Sequence, residues 1–439
     1  MPSFHCELAW LGGEQAATDV VVEVDGERVR SVRPSVPATP AGATRLPGLT
    51  LPGFANAHSH AFHRALRGRT QRGTGSFWTW RRQMYELAAT LDPDRYFRLA
   101  RATYGEMALA GIAAVGEFHY LHHAPGGAAY AEPNAMADAV VAAAREAGIR
   151  ITLLDACYLR GGPGVELDPV QRRFSDGSAD AWAERTAALR PGPGLQVGAA
   201  VHSVRAVDPA AIAVVAASAR ARRVPLHAHV SEQPAENEQV RAAHGATPVE
   251  VLAGAGALDA RFTAVHATHL TATDIGLLGA ARCSCCICPT TERDLADGIG
   301  PTFALRDAGA RLALGSDSHA VIDVLEEARA VELDERLATL VRGRHDTAAL
   351  LRMATEHGHL ALGWTDAGRI EAGALADLTT VTLDSVRTAG TAGEDALAGA
   401  VFAAAAADVR HVVVGGRVVV RDGVHTAMDV AGELRSVLA

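Results

Sequence analysis

The chain has 439 residues, 49% hydrophobic and 21% charged, which is the balance of an ordinary globular protein with room for one large domain and a smaller one. A net charge of −9 disfavours a nucleic-acid partner, because such partners select basic surfaces. No apolar run of about 20 residues marks a membrane span, and MPSFHCELAW lacks a basic region followed by an apolar stretch, so a cytoplasmic location is expected.

Residues 1–50 read as short strands. DVVVEVDGERVRSV alternates about a DG turn, which is a hairpin signal. Residues 365–439 read similarly: LADLTTVTL precedes VRHVVVGGRVVVRDGVH, and AGELRSVLA reads as a short terminal helix. The two ends are predicted to pair into one small β-sandwich domain. Residues 51–364 alternate differently. Ala-rich helical stretches such as DAVVAAAREAG and PAAIAVVAASARARR separate eight β-like runs. These runs are GLTLPGFANAH, AAVGEFHY, RITLLDACYL, LQVGAAVHSV, VPLHAHVSE, FTAVHATHL, ARCSCCIC and ARLALGSDSH. Eight βα units predict an α/β fold of the (β/α)8 TIM-barrel type. An open doubly wound sheet is the alternative, but no Gly-rich dinucleotide loop follows the first strand.

The histidines follow this pattern. Of 19, thirteen lie between positions 58 and 319. His58, His60, His119, His202, His227, His229, His266, His269 and His319 fall at or just after predicted strand ends, where a TIM barrel builds its active site. A single histidine more often serves structure than metal binding; recurrence at one end of so many strands reverses that expectation. His58 and His60 are two apart on a strand, so alternation points both inward, and converging imidazoles suit Zn²⁺. His227 and His229 also share a face, with His229 nearer the strand end. Glu232 follows where strand gives way to loop, placed either as a proton shuttle or as a solvated surface carboxylate. Asp317 in GSDSH supplies either a carboxylate ligand or a helix N-cap.

Cys283, Cys285, Cys286 and Cys288 crowd together, unlike a disulfide framework, so reduced thiols are expected. Thiolates could hold a second metal, but SCCIC lies on a predicted buried strand, where Cys serves as small apolar filler, and filler is the favoured reading. All 41 basic residues are Arg. The absence of Lys excludes Schiff-base chemistry and a lysine-carbamate bridge between two metals.

LPGFANAHSH, HAHVSE, VHATH and GSDSH resemble the metal-binding strand ends of the amidohydrolase superfamily, and the split terminal β-domain matches it too. More narrowly, HSHAFHRAL, SFWTWR, EFHYLHH, QRRF, VHSVRAV, HAHVSEQ, CPTTE, DGI and GSDSH occur in an order similar to that of the formimidoylglutamate deiminases of histidine breakdown. TTERDLADG and SCCIC depart from that family's pattern. The resemblance implies one zinc ion on His58, His60, His229 and Asp317, with Glu232 as acid/base and His266 and Asp317 beside the attacking water. It implies substrate binding by His63, Arg81, Tyr120, His202 and Arg205. The implied reaction is hydrolysis of N-formimidoyl-L-glutamate to N-formyl-L-glutamate and ammonia. Arg81 and Arg205 offer planar forks for the two carboxylates of such a substrate, the bland alternative being structural salt bridges. The expected partner is a small dicarboxylate and the expected assembly a homodimer, with neither nucleic acid nor membrane. Competing readings are a superfamily deaminase acting on a purine, pyrimidine or related C=N compound, and a non-catalytic barrel, whose mark would be lost metal ligands.

Overall fold

The computed structural model describes residues 2–72 and 74–439 and contains two eight-stranded sheets. The first is built from both ends of the chain. β1 (Ser3–Ala9), β2 (Ala17–Asp25), β3 (Arg28–Arg33) and β4 (Thr44–Pro52) join β13 (Leu378–Val381), β14 (Val409–Val414), β15 (Arg417–Arg421) and β16 (Val424–His425), in the spatial order β16-β15-β14-β13-β4-β1-β2-β3. The two halves meet where β4 pairs antiparallel with β13, Thr50 standing opposite Thr380.

The second sheet comprises β5 (Phe54–Ser59), β6 (Ile112–His119), β7 (Arg150–Cys157), β8 (Leu195–Ser203), β9 (Leu226–Val230), β10 (Phe262–His266), β11 (Ser284–Ile287) and β12 (Arg311–Leu314), all parallel and in sequence order. Every residue of β5, β6, β7, β9, β10 and β11 is buried, as expected of strands covered on both faces. The barrel closes just beyond β12: Asp317 N–H donates to the His58 carbonyl at 3.0 Å, and His60 N–H donates to the Asp317 carbonyl at 3.4 Å. The (β/α)8 architecture expected from the eight runs is therefore present.

One predicted strand proves to be two. GLTLPGFANAH is continuous in its apolar character, yet the chain changes sheets at Gly53. A Cβ there would lie 2.6 Å from Ala113 Cβ and 3.0 Å from Asp377 Cβ, so the crossing point has no room for a side chain. The connecting helices start where capping chemistry dictates. Asp208 and Asp323 accept backbone N–H groups at the starts of Pro209–Arg222 and Val324–Thr339, and the predicted terminal helix spans Val430–Leu438. No helix among the described residues is long and apolar enough to cross a membrane.

Strand β7 carries two buried ion pairs. At its start, Arg150 donates to both oxygens of Asp377 at 2.8 and 3.1 Å, tying the barrel to the end-built sheet, and Asp377 Oδ1 also accepts Gly415 N–H at 2.7 Å. Near its end, Asp155 accepts from Arg185 at 2.8 and 3.0 Å and from Trp182 Nε1 at 3.0 Å, while Arg185 also holds Asp176. Burial alone would raise both carboxyls, but Arg185 at Asp155, and His123 with Arg185 at Asp176, hold them below the usual carboxylate range.

Asp377→Ala removes the buried carboxylate that Arg150 grips with two hydrogen bonds and leaves it only Glu27, an exposed partner at 2.9 Å, at the junction of the two sheets. It is expected to cost about 3–5 kcal/mol, read from the midpoint of denaturant unfolding; an unchanged midpoint would remove the junction from the stabilising contacts. Arg185→Met should cost a similar amount at neutral pH. Because the two carboxyl pKa values are depressed in the folded state, their contribution is present above the ordinary carboxylate range and is lost as pH falls through the folded values. The gap between Arg185→Met and the parent should therefore narrow as pH drops below about 4. A gap that stayed constant with pH would contradict this account.

Candidate active site

Four side chains converge at the C-terminal mouth of the barrel. His58 comes from β5, His60 from the residue following it, His229 from β9 and Asp317 from the turn after β12, and their ligand atoms all lie within 4.8 Å of one another. His58 Nε2 and His60 Nε2 stand 3.3 and 3.4 Å from Asp317 Oδ1. His60 Nδ1 donates to the Phe118 carbonyl at 2.9 Å and His229 Nδ1 to the His202 carbonyl at 2.8 Å, which turns each Nε2 lone pair toward the centre. His58 is wholly buried with no hydrogen-bond partner on either nitrogen, a costly arrangement for a polar ring unless it coordinates. Burial holds all three imidazoles well below their ordinary pKa, in the neutral form a metal requires. A tetrahedral ion with bonds of about 2.0–2.1 Å spaces its ligand atoms about 3.3 Å apart, so a metal ion fits this donor set.

The structure chooses between the paired histidines of β9: His227 Nε2 donates instead to the Ala361 carbonyl at 2.9 Å, away from the cluster. Asp317 caps no helix, the next one beginning beyond Asp323. Its φ is 37°, and Ser231, His266, Ala267 and His319 are likewise left-handed, so non-glycine strain collects at the strand ends around the site. Glu117 on β6 braces the ligand strand from behind, accepting from Ser59 Oγ at 2.9 Å and Ala61 N–H at 2.8 Å.

A second, differently charged group adjoins the cluster. His266 Nε2 lies 3.7 Å from Glu232 Oε1 and 3.8 Å from Asp317 Oδ2, and its Nδ1 lies 3.5 Å from Glu292 Oε1. Burial opposes the imidazolium, but these three carboxylates outweigh it and hold His266 well above its ordinary pKa. Burial pushes Glu232 up to about 7, against the pull of His266. Glu232 is thus a buried carboxyl near neutrality beside a cation, not a solvated surface residue.

These groups open into a cavity at the mouth of the barrel. The substrate-contact positions expected from the resemblance, His63, Arg81, Tyr120, His202 and Arg205, all line it, alongside His60, His229, Glu232, His266 and Asp317. His63 Nε2 and the Tyr120 hydroxyl share a 2.9 Å hydrogen bond. Arg81 Nε donates to the Tyr85 hydroxyl at 2.7 Å. Arg205 Nε stands 3.8 Å from Glu236 Oε1, while the other Glu236 oxygen accepts Glu232 N–H at 3.0 Å. Sequence reasoning missed the aromatic wall of Trp80, Tyr85, Tyr158 and Phe174. It also missed Gln171, whose amide donates to the Tyr85 and Tyr158 hydroxyls at 3.0 and 2.8 Å. Tyr158 directly follows β7, so the strand-end rule applied to histidines would have found it; Trp80 and Tyr85 belong to α1 (Phe77–Ala89), which no such rule reaches.

Not every strand-end histidine joins the site. His119 groups with His122 and Asp155, whose carboxylate is committed to Arg185. His269 Nε2 donates to the Asp297 carbonyl at 2.7 Å, and His319 bonds to Ser316 and Ser59 hydroxyls. All six cysteines are buried and free.

The description "Amidohydrolase family" fits residues 49–419, spanning nearly the whole chain. A formimidoylglutamate deiminase of Pseudomonas aeruginosa is 37% identical, the alignment covering 100% of this chain and 98% of that one. A 5-methylthioadenosine/S-adenosylhomocysteine deaminase of Natronomonas pharaonis is 32% identical over 85% of this chain and 82% of its own. The crystal structure of an amidohydrolase from Brucella melitensis superposes with a TM-score of 0.90 at 32% identity, covering 100% of this chain and 99% of that one. With its barrel, its sheet built from both ends and its donor cluster at the strand ends, the chain belongs to the amidohydrolase family and is a hydrolase acting on carbon–nitrogen bonds.

Proposed function

We propose that this protein is a zinc-dependent formimidoylglutamate deiminase, which converts N-formimidoyl-L-glutamate and water into N-formyl-L-glutamate and ammonia in histidine degradation. The observation that carries this reading is the pair Arg81 and Arg205 in one cavity with Glu232, His266 and the donor cluster. The substrate has two carboxylates and a formimino carbon, and this cavity offers two guanidinium groups and hydrolytic machinery. The 37% identity to a formimidoylglutamate deiminase over the full chain supports the same choice.

His58, His60, His229 and Asp317 would hold the zinc ion. When bound, it supplies a Lewis acid that brings the pKa of water from about 15.7 towards about 7. Arg81 and Arg205 bind the glutamate carboxylates through charge-assisted hydrogen bonds, while Tyr120, His202 and His63 add neutral polar contacts. The aromatic wall shuts bulk water out and keeps the formimino group facing Glu232. Glu232, poised near neutrality, accepts a proton from the attacking water as the oxygen bonds to the formimino carbon. His266 stabilises the charge that develops there, and Asp317 orients the attacking oxygen. Glu232 delivers that proton to the formimino nitrogen, then takes the second proton from the new hydroxyl and passes it to the same nitrogen, so that the C–N bond breaks as the C=O forms, and ammonia leaves a formyl amide behind.

Ring deaminases are also related to this chain, but a purine or pyrimidine has no use for two guanidinium groups. A panel of such bases should show turnover far below that of the dicarboxylate. Ammonia release from N-formimidoyl-L-glutamate should cease when a chelator removes the metal and return with zinc. Robust turnover by metal-free protein would end the metal-dependent reading. Glu232→Gln should retain metal and lower kcat by about 10²–10⁴. Arg205→Met should mainly raise KM, cutting kcat/KM about 10- to 150-fold, the equivalent of one charge-assisted hydrogen bond of about 1.5–3 kcal/mol. An unchanged kcat/KM would take Arg205 out of carboxylate binding.

A further inference from the structure

Behind the first donor cluster lies a second one, of which the proposed reaction uses His266 alone. A ring nitrogen of His266, the thiol of Cys288 and a carboxylate oxygen of Glu292 lie within 4.8 Å of one another, and all three residues are buried. The placement of Cys288 is specific. Cys286 and Cys288 are two apart and share the inward face, and a Cβ added to Gly315 would meet Cys288 Sγ at 2.9 Å, Cys286 Sγ at 3.0 Å and His58 Cβ at 2.8 Å. The bare glycine thus makes room for two sulfurs beside the first ligand strand. Filler explains a small apolar side chain at such a spot. It does not explain why His266, neither of whose ring nitrogens has a hydrogen-bond partner, should stand beside the thiol, while Glu292 is held there by accepting Cys288 N–H at 2.9 Å.

We propose that His266, Cys288 and Glu292 form a second, inhibitory metal site that takes a thiophilic divalent cation such as zinc or cadmium. One nitrogen, one thiolate and one carboxylate are a donor set suited to such ions, with a fourth position left for water. Binding releases the Cys288 thiol proton to solvent and leaves the sulfur as thiolate. The two nitrogens of His266 face opposite ways, Nδ1 toward Glu292 and Nε2 toward Glu232 and Asp317. A cation on Nδ1 draws the ring toward Cys288 and Glu292 and away from Glu232 and Asp317, which face its other nitrogen at 3.7 and 3.8 Å. Occupation of the rear site therefore stops hydrolysis while leaving the four front ligands in place.

The test uses full-length enzyme carrying one zinc per chain, titrated with cadmium chloride while both metals are quantified. A further equivalent of cadmium should bind with a sulfur-to-cadmium charge-transfer band in the ultraviolet, read without substrate, and ammonia release should fall roughly tenfold or more. Cys288→Ala should keep its zinc and its basal turnover yet show neither band nor inhibition, whereas Cys286→Ala should show both. No band in the parent enzyme, or one that survives in Cys288→Ala, overturns the site. X-ray absorption at the cadmium edge of the unsubstituted enzyme is an independent check: a shell containing sulfur is expected, and a shell of nitrogen and oxygen alone overturns the site.

Discussion

The closure of the barrel and the geometry of the donor cluster are a single constraint, and Asp317 carries it. Its main chain hydrogen-bonds to His58 and His60, sealing β12 against β5, while its carboxylate meets the same two residues' rings at 3.3 and 3.4 Å. Backbone and side chain can serve both ends only if the residue turns out of the strand, which it does at a φ of 37°. Such a conformation costs on the order of 1–3 kcal/mol and persists because the surrounding seam over-determines it. Anything that loosens the seam also moves the carboxylate.

Desolvation then sorts the histidines into two kinds. His58, His60 and His229 are stripped of water and remain neutral, which is the form that donates a lone pair. His266 is just as buried, but Glu232, Glu292 and Asp317 surround it, and it becomes a cation. The same low-dielectric setting thus yields ligands on one side and a charged partner for Glu232 on the other, and the number of neighbouring carboxylates decides which. Arg supplies the remaining cations, with planar guanidinium groups fixed by Tyr85 and by Glu236.

Much of this is legible from period and position. Alternation along HSH places two rings on one face, and the strand-end rule gathers His229, His266 and Asp317 from segments far apart in the chain. Other features leave no local trace. Alternation gives His227 and His229 the same face; nearness to the strand end favours His229, while the Ala361 carbonyl that occupies His227 leaves no local trace. The apolar run through Gly53 gives no sign of changing sheets, because burial is the same on both sides of the crossing. The aromatic wall draws on α1, on the end of β7 and on the turn at Gln171–Phe174, and its members meet only after the barrel has closed. By sequence Asp317 is equally suited to capping a helix, and the true cap is Asp323, further along the same turn.

The end-built sheet has a consequence for how the chain comes into being. Thr50 and Thr380 share a hydrogen bond across 330 residues. On a ribosome adding about 5–20 residues each second, β4 waits roughly 15–65 s for β13 to be made. For that interval the N-terminal strands present an unpaired edge, and the apolar faces they will bury have only each other for cover. The barrel must assemble in the meantime, strand upon sequential strand, with its first strand tethered to a half-finished sheet. Nascent chains of this protein therefore carry that unpaired edge through the synthesis of the whole barrel, until β13 to β16 arrive to complete the other sheet.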